Sequence, residues 1–570
     1  MKTVLKHLSE YKKECVLAPL FKLLETCLEL TVPIVIASII DRGIGNGDKP
    51  WIYRMTLTLI ILALVGLAAA ITAQYFSAKA AIGCSASIRE SLFRHIQSLS
   101  YPDLDGMGAS ALITRITGDV TQVQTGINLT LRLILRAPFV VFGAMIMAFT
   151  VDVKCALIFC VMIPVLLIAV FAVMLGCVPL YKKVQRHLDT VTRTVRENLT
   201  GARVLRAFAK EDDERKKFAE ENGALSRIQL FTGRISALMS PATYLTVNLC
   251  IAWMIARGGL RVNLGDLTQG EVIALYNYMS QILVELIKMA NLIITMTKAV
   301  ASADRITEVI DYTPSLNGGE LTRAENFTLH FDNVSFAYPG AAEPSVENIS
   351  FTLENGKTLG IIGATGSGKS TIAFLASRFY DPSEGSITLG GRPISEYDNA
   401  FLRDHIGFVP QKAVLFGGTI RENILAGKDY PDSRINEALA TSQATDVIAS
   451  KVRGLDEKIG AGGAGLSGGQ RQRLTIARAV VREPEILILD DSSSALDYRT
   501  DAALRRSVAE CSFNPATVII SQRASSVMDA DEILVMDDGR CVARGTHDSL
   551  LHECDIYREI YETQFGKAAV

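Results

Sequence analysis

Six stretches of this chain are apolar for long enough to cross a lipid bilayer, and that feature restricts the fold more tightly than any other. They lie near residues 16–41, 55–80, 127–150, 154–178, 234–258 and 270–297. A hydrocarbon core takes about 20 residues of helix, so each stretch is expected as one spanning helix. All six fall in the first half. Of 570 residues, 49% are hydrophobic, high for a soluble protein and low for one lying wholly in lipid. A membrane half followed by a soluble half fits.

The connections alternate in length. Residues 42–50, 151–153 and 259–268 are short; residues 81–126 and 179–233 are long, polar and helix-like. The long connections and the N-terminus hold most of the Lys and Arg, which places them on the cytoplasmic side by the positive-inside rule. Six crossings return the chain to that side, so both termini are expected in the cytoplasm. Each long connection breaks near its middle, at 100–110 and 197–208. A short helix at each hairpin tip would be a natural contact for a cytoplasmic domain. The N-terminus lacks a cleavage site after a short apolar run, so no removed signal peptide is expected. Net charge is -2, which gives no global field toward nucleic acid. The 10 cysteines form no metal-binding or disulfide spacing; Cys27, Cys155, Cys160, Cys177 and Cys250 read as small core hydrophobes.

Polar groups inside a span are costly and point to function. In the sixth stretch Asn277, Gln281, Glu285, Lys288 and Asn291 share one face at about 100° per residue. Glu285 and Lys288 are spaced to pair. The face lines a substrate path, or its groups satisfy one another and neighbouring helices. Glu25 and Glu29 in the first stretch carry the same two readings, with Arg132 and Arg136 as candidate partners.

Composition changes across the polar segment 313–326, giving an expected division into 1–312 (membrane), 313–326 (linker) and 327–570 (soluble). In the last part, "GIIGATGSGKST" follows an apolar strand and precedes a helical run. It contains G-x-x-x-x-G-K-[ST], whose backbone N–H groups cradle phosphates, whose Lys369 reaches the terminal phosphates and whose Ser370 holds Mg²⁺. Gln411 follows another strand. "LSGGQ" opens a basic helix, "EILILDD" is a buried strand ending in Asp490 and Asp491, and Asp497 closes "SALD". Asp490 is the expected Mg²⁺ ligand. Gln522 ends a further strand, and the ring of Tyr338 is placed to stack on adenine.

This set resembles the ATP-binding cassette family, and the six-span half resembles its exporters; the resemblance covers nearly the whole chain. It implies a membrane all-α six-helix domain with long cytoplasmic extensions, followed by an α/β phosphate-loop ATPase. It implies ATP and Mg²⁺ as ligands, bound by Tyr338, Gly363, Ala364, Thr365, Gly366, Ser367, Gly368, Lys369, Ser370, Thr371 and Asp490, with Ser370, Gln411 and Asp490 around the metal. It implies that Leu466, Ser467, Gly468, Gly469 and Gln470 serve the nucleotide of an opposite subunit. The tips near 100–110 and 197–208 match the family's coupling helices.

Three positions depart from the family pattern. A Glu that polarises the attacking water usually follows the Mg²⁺ Asp; here Asp491 stands there, shorter by one methylene, while a general base must come within about 3 Å of its proton. Gln522 replaces the usual switch His and cannot carry its charge. Ala461 and Gly462 occupy a region where a Glu is usual. The sequence therefore resembles the degenerate-site subunit of bacterial heterodimeric multidrug-type exporters. The implied partner is a second half-transporter with an intact Glu and switch His, in the bacterial cytoplasmic membrane, moving a small amphipathic substrate. The competing readings are a slow homodimeric exporter and an ATP-gated channel-like or regulatory protein.

Overall fold

The computed structural model describes residues 6–566, apart from the side chains of 290, 291 and 294. It divides into two compact units: Met1–Gln97 with Ser110–Tyr312, and Ser98–Ala109 with Thr313–Val570.

The first unit is helical. Among the described residues five helices are long and apolar enough to cross a membrane: Lys6–Ile44, Lys49–Ser98, Ala109–Val151, Val153–Thr200 and Glu211–Asn263. A sixth long helix, Gln269–Ile310, covers the last apolar stretch. The 50-residue helix Lys49–Ser98 is about 75 Å long at 1.5 Å per residue, well beyond a hydrocarbon core of about 30 Å. It leaves Leu57, Ile60, Leu64, Leu67 and Ile71 exposed, a surface suited to lipid. The long polar connections are thus continuations of the spanning helices. The two breaks fold as short helices, Tyr101–Met107 and Ala202–Ala207.

Acidic caps fix the short turns. Asp152 precedes the Val153–Thr200 helix, accepts from Cys155 N (2.7 Å) and pairs with Arg261 (2.7 Å). Asp41 accepts from Thr268 Oγ1 (2.6 Å) and Gly270 N (2.8 Å), anchoring the start of the Gln269–Ile310 helix. A Cβ at Gly270 would lie 2.4 Å from Ala37 O, so only glycine permits this approach. The core centres on Phe159, Met162, Leu275, Tyr278 and Met279, and Tyr278 donates to Leu30 O (2.7 Å). All ten cysteines are free. Cys155 and Cys177 are buried, but Cys27 and Cys160 are exposed on their helices, which corrects the expectation of core packing for those two.

The second unit is built on strands β1 (Leu329–Phe336), β2 (Val346–Leu353), β3 (Thr358–Gly363), β4 (Glu384–Leu389), β5 (Arg392–Pro393), β6 (Ile406–Val409), β7 (Gly418–Thr419), β8 (Lys458–Ile459), β9 (Ile486–Asp490), β10 (Ala516–Ser521), β11 (Glu532–Asp537) and β12 (Arg540–Gly545). Ten of them form one sheet in the order β5-β4-β1-β2-β12-β11-β3-β10-β9-β6, and β7 pairs with β8 separately. Strands β11, β3, β10, β9 and β6 run parallel, and β9 is buried throughout (ILILD), as a sheet covered on both faces requires. The segment expected as a linker is held against this unit. Gly319 N donates to Tyr397 O and Leu321 N to Glu396 O, each at 2.9 Å, and Arg378 reaches Asn317 O at 2.8 Å.

The Tyr101–Met107 helix belongs to this second unit. Its Tyr101 ring stacks on Phe379 at 4.3 Å, and Tyr380 donates its hydroxyl hydrogen to Asp105. Asp103 is buried and accepts from Ser100 N (2.9 Å), Ser100 Oγ (2.5 Å) and Ser315 N (3.1 Å). Burial pushes its carboxyl up, but the bonds from Ser100 and Ser315 outweigh that and hold it below the ordinary carboxylate range. A depressed folded pKa stabilises above the unfolded value, near 4, and is lost as pH falls through the folded value. Asp103→Asn is expected to destabilise this unit by about 1–2 kcal/mol at neutral pH, with the difference shrinking below about pH 4. A pH series of thermal unfolding on wild type and variant checks the prediction.

Candidate functional site

The parallel strands bring the candidate residues together. Strands β3, β10, β9 and β6 point the same way, so the residues just past their carboxyl ends gather at one edge. Gly363 follows from β3, Gln522 from β10, Asp490 and Asp491 from β9, and Gln411 from β6. One cavity of about 490 Å³ is lined there by Tyr338, Thr365, Gly366, Gly368, Lys369, Ser370, Thr371, Gln411, Asp490, Asp491 and Gln522, with Ser345 and Gly539 at its margin.

Glycine is required in the loop after β3. Gly368 sits at φ 87° as the cap of the Lys369–Ala376 helix, and a Cβ there would lie 2.4 Å from Ser345 O. Thr365, Gly366 and Gly368 of the loop and Lys369 to Thr371 at the helix start line the cavity, and a helix start favours an anion. Lys369 folds back over the loop, with Nζ on Gly363 O (2.9 Å), Ala364 O (2.5 Å) and Ser367 Oγ (3.2 Å). Burial lowers its pKa, partly countered by Asp491 and Asp490. Tyr338 meets Thr371 Oγ1 at 3.3 Å and packs edge-on against Tyr380 at 5.3 Å.

The two adjacent carboxylates have different surroundings. Asp490 is 2% exposed and accepts from Ser370 Oγ at 2.9 Å. Burial raises its pKa, the Ser370 bond opposes the rise, and the neighbouring Asp491 adds to it. Two acids beside a hydroxyl, with a phosphate cradle alongside, fit a hard divalent cation with oxygen ligands such as Mg²⁺. Ser370 and Asp490 would hold it; when bound, the ion would offset phosphate charge. Asp491 lies at φ 43°, a left-handed conformation that Asp tolerates better than most residues. Its N–H donates to Ile520 O (2.9 Å), and its Oδ2 accepts from Gln411 Nε2 (3.2 Å). Gln522 accepts from Thr365 Oγ1 at 3.4 Å.

The LSGGQ residues do not line this cavity. Ser467 caps the Gly468–Val480 helix reciprocally with Gln470: its Oγ accepts from Gln470 N (3.2 Å), and its N–H donates to Gln470 Oε1 (3.0 Å). Leu466 is buried beneath the turn. Asp497 caps the next helix, Tyr498–Ala509, through Thr500 (2.7 Å from Thr500 Oγ1), which lowers its pKa. Ala461 and Gly462 form a tight turn, with Gly462 at φ 72° donating to Leu415 O (2.9 Å).

In the membrane-spanning unit, Asn277, Gln281, Glu285 and Lys288 line a second cavity, of about 310 Å³; the side chain of Asn291 lies outside the described residues. Lys288 pairs with Glu285 at 2.8 Å. Arg136 takes Glu29 (2.7 Å), whereas Glu25 pairs on its own helix with Lys22 (2.6 Å). Sequence spacing missed the bridge from Arg136 to Glu285 (3.4 Å), because it joins helices far apart in the chain.

A helical membrane unit fused to a phosphate-loop ATPase of this topology defines a membrane transporter of the ATP-binding cassette class. The transmembrane region of ABC transporters matches residues 15–286, and the ABC transporter ATPase family matches residues 346–494. An uncharacterized ABC transporter ATP-binding protein of Bacillus subtilis, YfiB, is 36% identical over 100% of this chain and 99% of its own length. The ATP-dependent lipid A-core flippase of Salmonella typhimurium is 30% identical over 98% of this chain and 97% of its own. The solved structure of a bacterial Atm1-family ABC exporter with ATP bound has a TM-score of 0.82 at 25% identity, covering 97% of this chain and 99% of that one. The chain belongs to the ABC transporter family. It is a multi-pass ABC exporter half-transporter, a helical membrane domain followed by an α/β ATP-binding domain.

Proposed function

We propose that this half-transporter works as one subunit of a heterodimeric exporter, with a degenerate ATP site of its own and a signature motif that serves the partner's competent site. Both termini lie in the cytoplasm, and the cargo is a small amphipathic molecule. The observation that carries the reading is the placement of two departures in one cavity: Asp491 and Gln522 line the same wall as Lys369 and Asp490. The Asp491 carboxylate is one methylene short of a Glu. It hangs from a strand end whose N–H is tied to β10, and its Oδ2 is already engaged by Gln411. Gln522 offers a neutral amide where a charge would help an attacking water.

Binding and hydrolysis then separate. Lys369, the loop N–H groups, Ser370 and Asp490 hold the triphosphate, so closure of the two ATPase domains over nucleotide still occurs. With Asp491 short and engaged by Gln411, and Gln522 neutral, this chain's own site is a poor acceptor for the water's proton, so the reset depends on the partner's catalytic residues. The tip helix Tyr101–Met107, packed on Phe379 and Tyr380 beside Tyr338, is suited to carry that closure to the membrane helices.

Labelled ATP in the reconstituted heterodimer tests this reading. After several turnovers, nucleotide cross-linked to this chain's phosphate loop is expected to remain triphosphate, while the partner's site holds diphosphate. Equal diphosphate at both sites would overturn it.

A further inference from the structure

Another cavity of the membrane-spanning unit, of about 510 Å³, lies beside the short turns. The start of the Val153–Thr200 helix gives it Lys154, Leu157 and Val161; the end of the Glu211–Asn263 helix gives it Trp253, Arg257 and Arg261. Each set recurs every three or four residues, so each occupies one helix face. Arg261 pairs with Asp152 (2.7 Å) and Asp266 (3.3 Å), the two acids beside the cavity. Its buried Nε still has no hydrogen-bond partner. Among the described residues, Lys154 and Arg257 form no ion pair or hydrogen bond through their side chains. Asp41 is bonded to Thr268 and Gly270, and Glu271 to Thr268, at the cap of the next helix; neither lines the cavity. Three cations therefore face two acids, and two of the cations are unpaired. Further along the same helices Leu157, Val161 and Trp253 are exposed. Val161 lies about 10 Å from Lys154 along the helix at 1.5 Å per residue, toward the middle of the span.

We propose that this cavity holds the head of an anionic glycerophospholipid. Its phosphate would bridge Lys154 on one helix to Arg257 and the Nε of Arg261 on the other, with an acyl chain along Leu157, Val161 and Trp253. Guanidinium groups suit phosphate oxygens in charge and in geometry. Unpaired cations beside the short turns run against the bias that gathers Lys and Arg with the long connections, so an anion has a reason to sit there. A tryptophan at headgroup depth is the expected interfacial residue. Inorganic phosphate would use the cations and leave the apolar flank unoccupied. A zwitterionic choline head would bring a further cation beside three. The site is separate from the cavity lined by Glu285 and Lys288, and it is independent of which subunit hydrolyses ATP.

The chain has two tryptophans, Trp51 and Trp253. In full-length Trp51→Phe protein Trp253 is the single reporter, and phosphatidylglycerol or phosphatidylcholine carrying a doxyl group high on the acyl chain quenches it on contact in nanodiscs. Phosphatidylglycerol is expected to reach half-maximal quenching at a mole fraction about fivefold lower than phosphatidylcholine. The preference should survive about 0.5 M NaCl, where diffuse attraction is screened beyond roughly 4 Å. Lys154→Gln with Arg257→Gln changes two exposed side chains. It should abolish the preference and leave quenching by phosphatidylcholine unchanged, and retained ATP binding reports that the variant is folded. Excess inorganic phosphate should not displace the labelled lipid. Equal quenching by both lipids, or a preference that persists in the double variant or vanishes in salt, would overturn the inference. So would displacement by phosphate, or no quenching by either lipid, the result of a partner subunit covering the flank.

Discussion

Lys369→Ala is expected to strip ATP from this chain's site, lowering affinity by roughly 10²-fold. The ammonium supplies the principal positive charge in a cavity that also holds Asp490 and Asp491. A charge-assisted hydrogen bond contributes about 1.5–3 kcal/mol, and 1.4 kcal/mol is a factor of ten. Lys369 also ties Gly363, Ala364 and Ser367 together, so its loss loosens the loop that presents the N–H groups. Cross-linking of labelled ATP to this chain within the heterodimer measures the effect. Undiminished labelling would show that phosphate is held elsewhere.

Ser467→Arg is expected to lower the heterodimer's ATPase by about 10²-fold, even though Ser467 touches nothing in its own chain's cavity. Its backbone N–H and hydroxyl form a reciprocal cap at the start of the Gly468–Val480 helix, where an anion from another subunit would be received. Loss of the cap alone costs about 1 kcal/mol, which Ser467→Ala isolates. On the heterodimer proposed above, the larger loss with Arg would come from bulk and misplaced charge against the partner's transferring phosphate, where one misdirected group costs about 10²–10³-fold. Steady-state ATPase of the two variants separates the terms. Equal, small losses would place the signature outside the catalytic interface.

The gathering of the phosphate-loop and strand-end residues around one cavity was legible because the motifs are local. Four strands that end at one edge need only short motifs, each next to its own strand, and the Gly368 approach to Ser345 O shows why no other residue serves there. The pairing of Glu285 with Lys288 was legible for the same reason, three residues apart on one helix. Contacts between distant segments were not. No spacing announces that Tyr101 stacks on Phe379, that Asp105 receives the Tyr380 hydroxyl, or that Arg136, a candidate partner for Glu29 from the sequence, also reaches Glu285. The left-handed backbone of Asp491 was equally hidden; it follows from the turn after β9 and fixes where the short carboxylate can reach.

That reach bears on why a second aspartate follows Asp490. The most direct measurement compares two isosteric variants in the reconstituted pair: Asp491→Asn in this chain and Glu→Gln at the partner's catalytic position. Asn keeps an oxygen to accept from Gln411, so the local geometry survives while the charge is removed. ATPase is expected to fall less than about twofold for Asp491→Asn and by about 10²–10⁴-fold for the partner's substitution, the range for losing a general base. Losses of equal size from the two substitutions would contradict a degenerate site here and indicate two working ones.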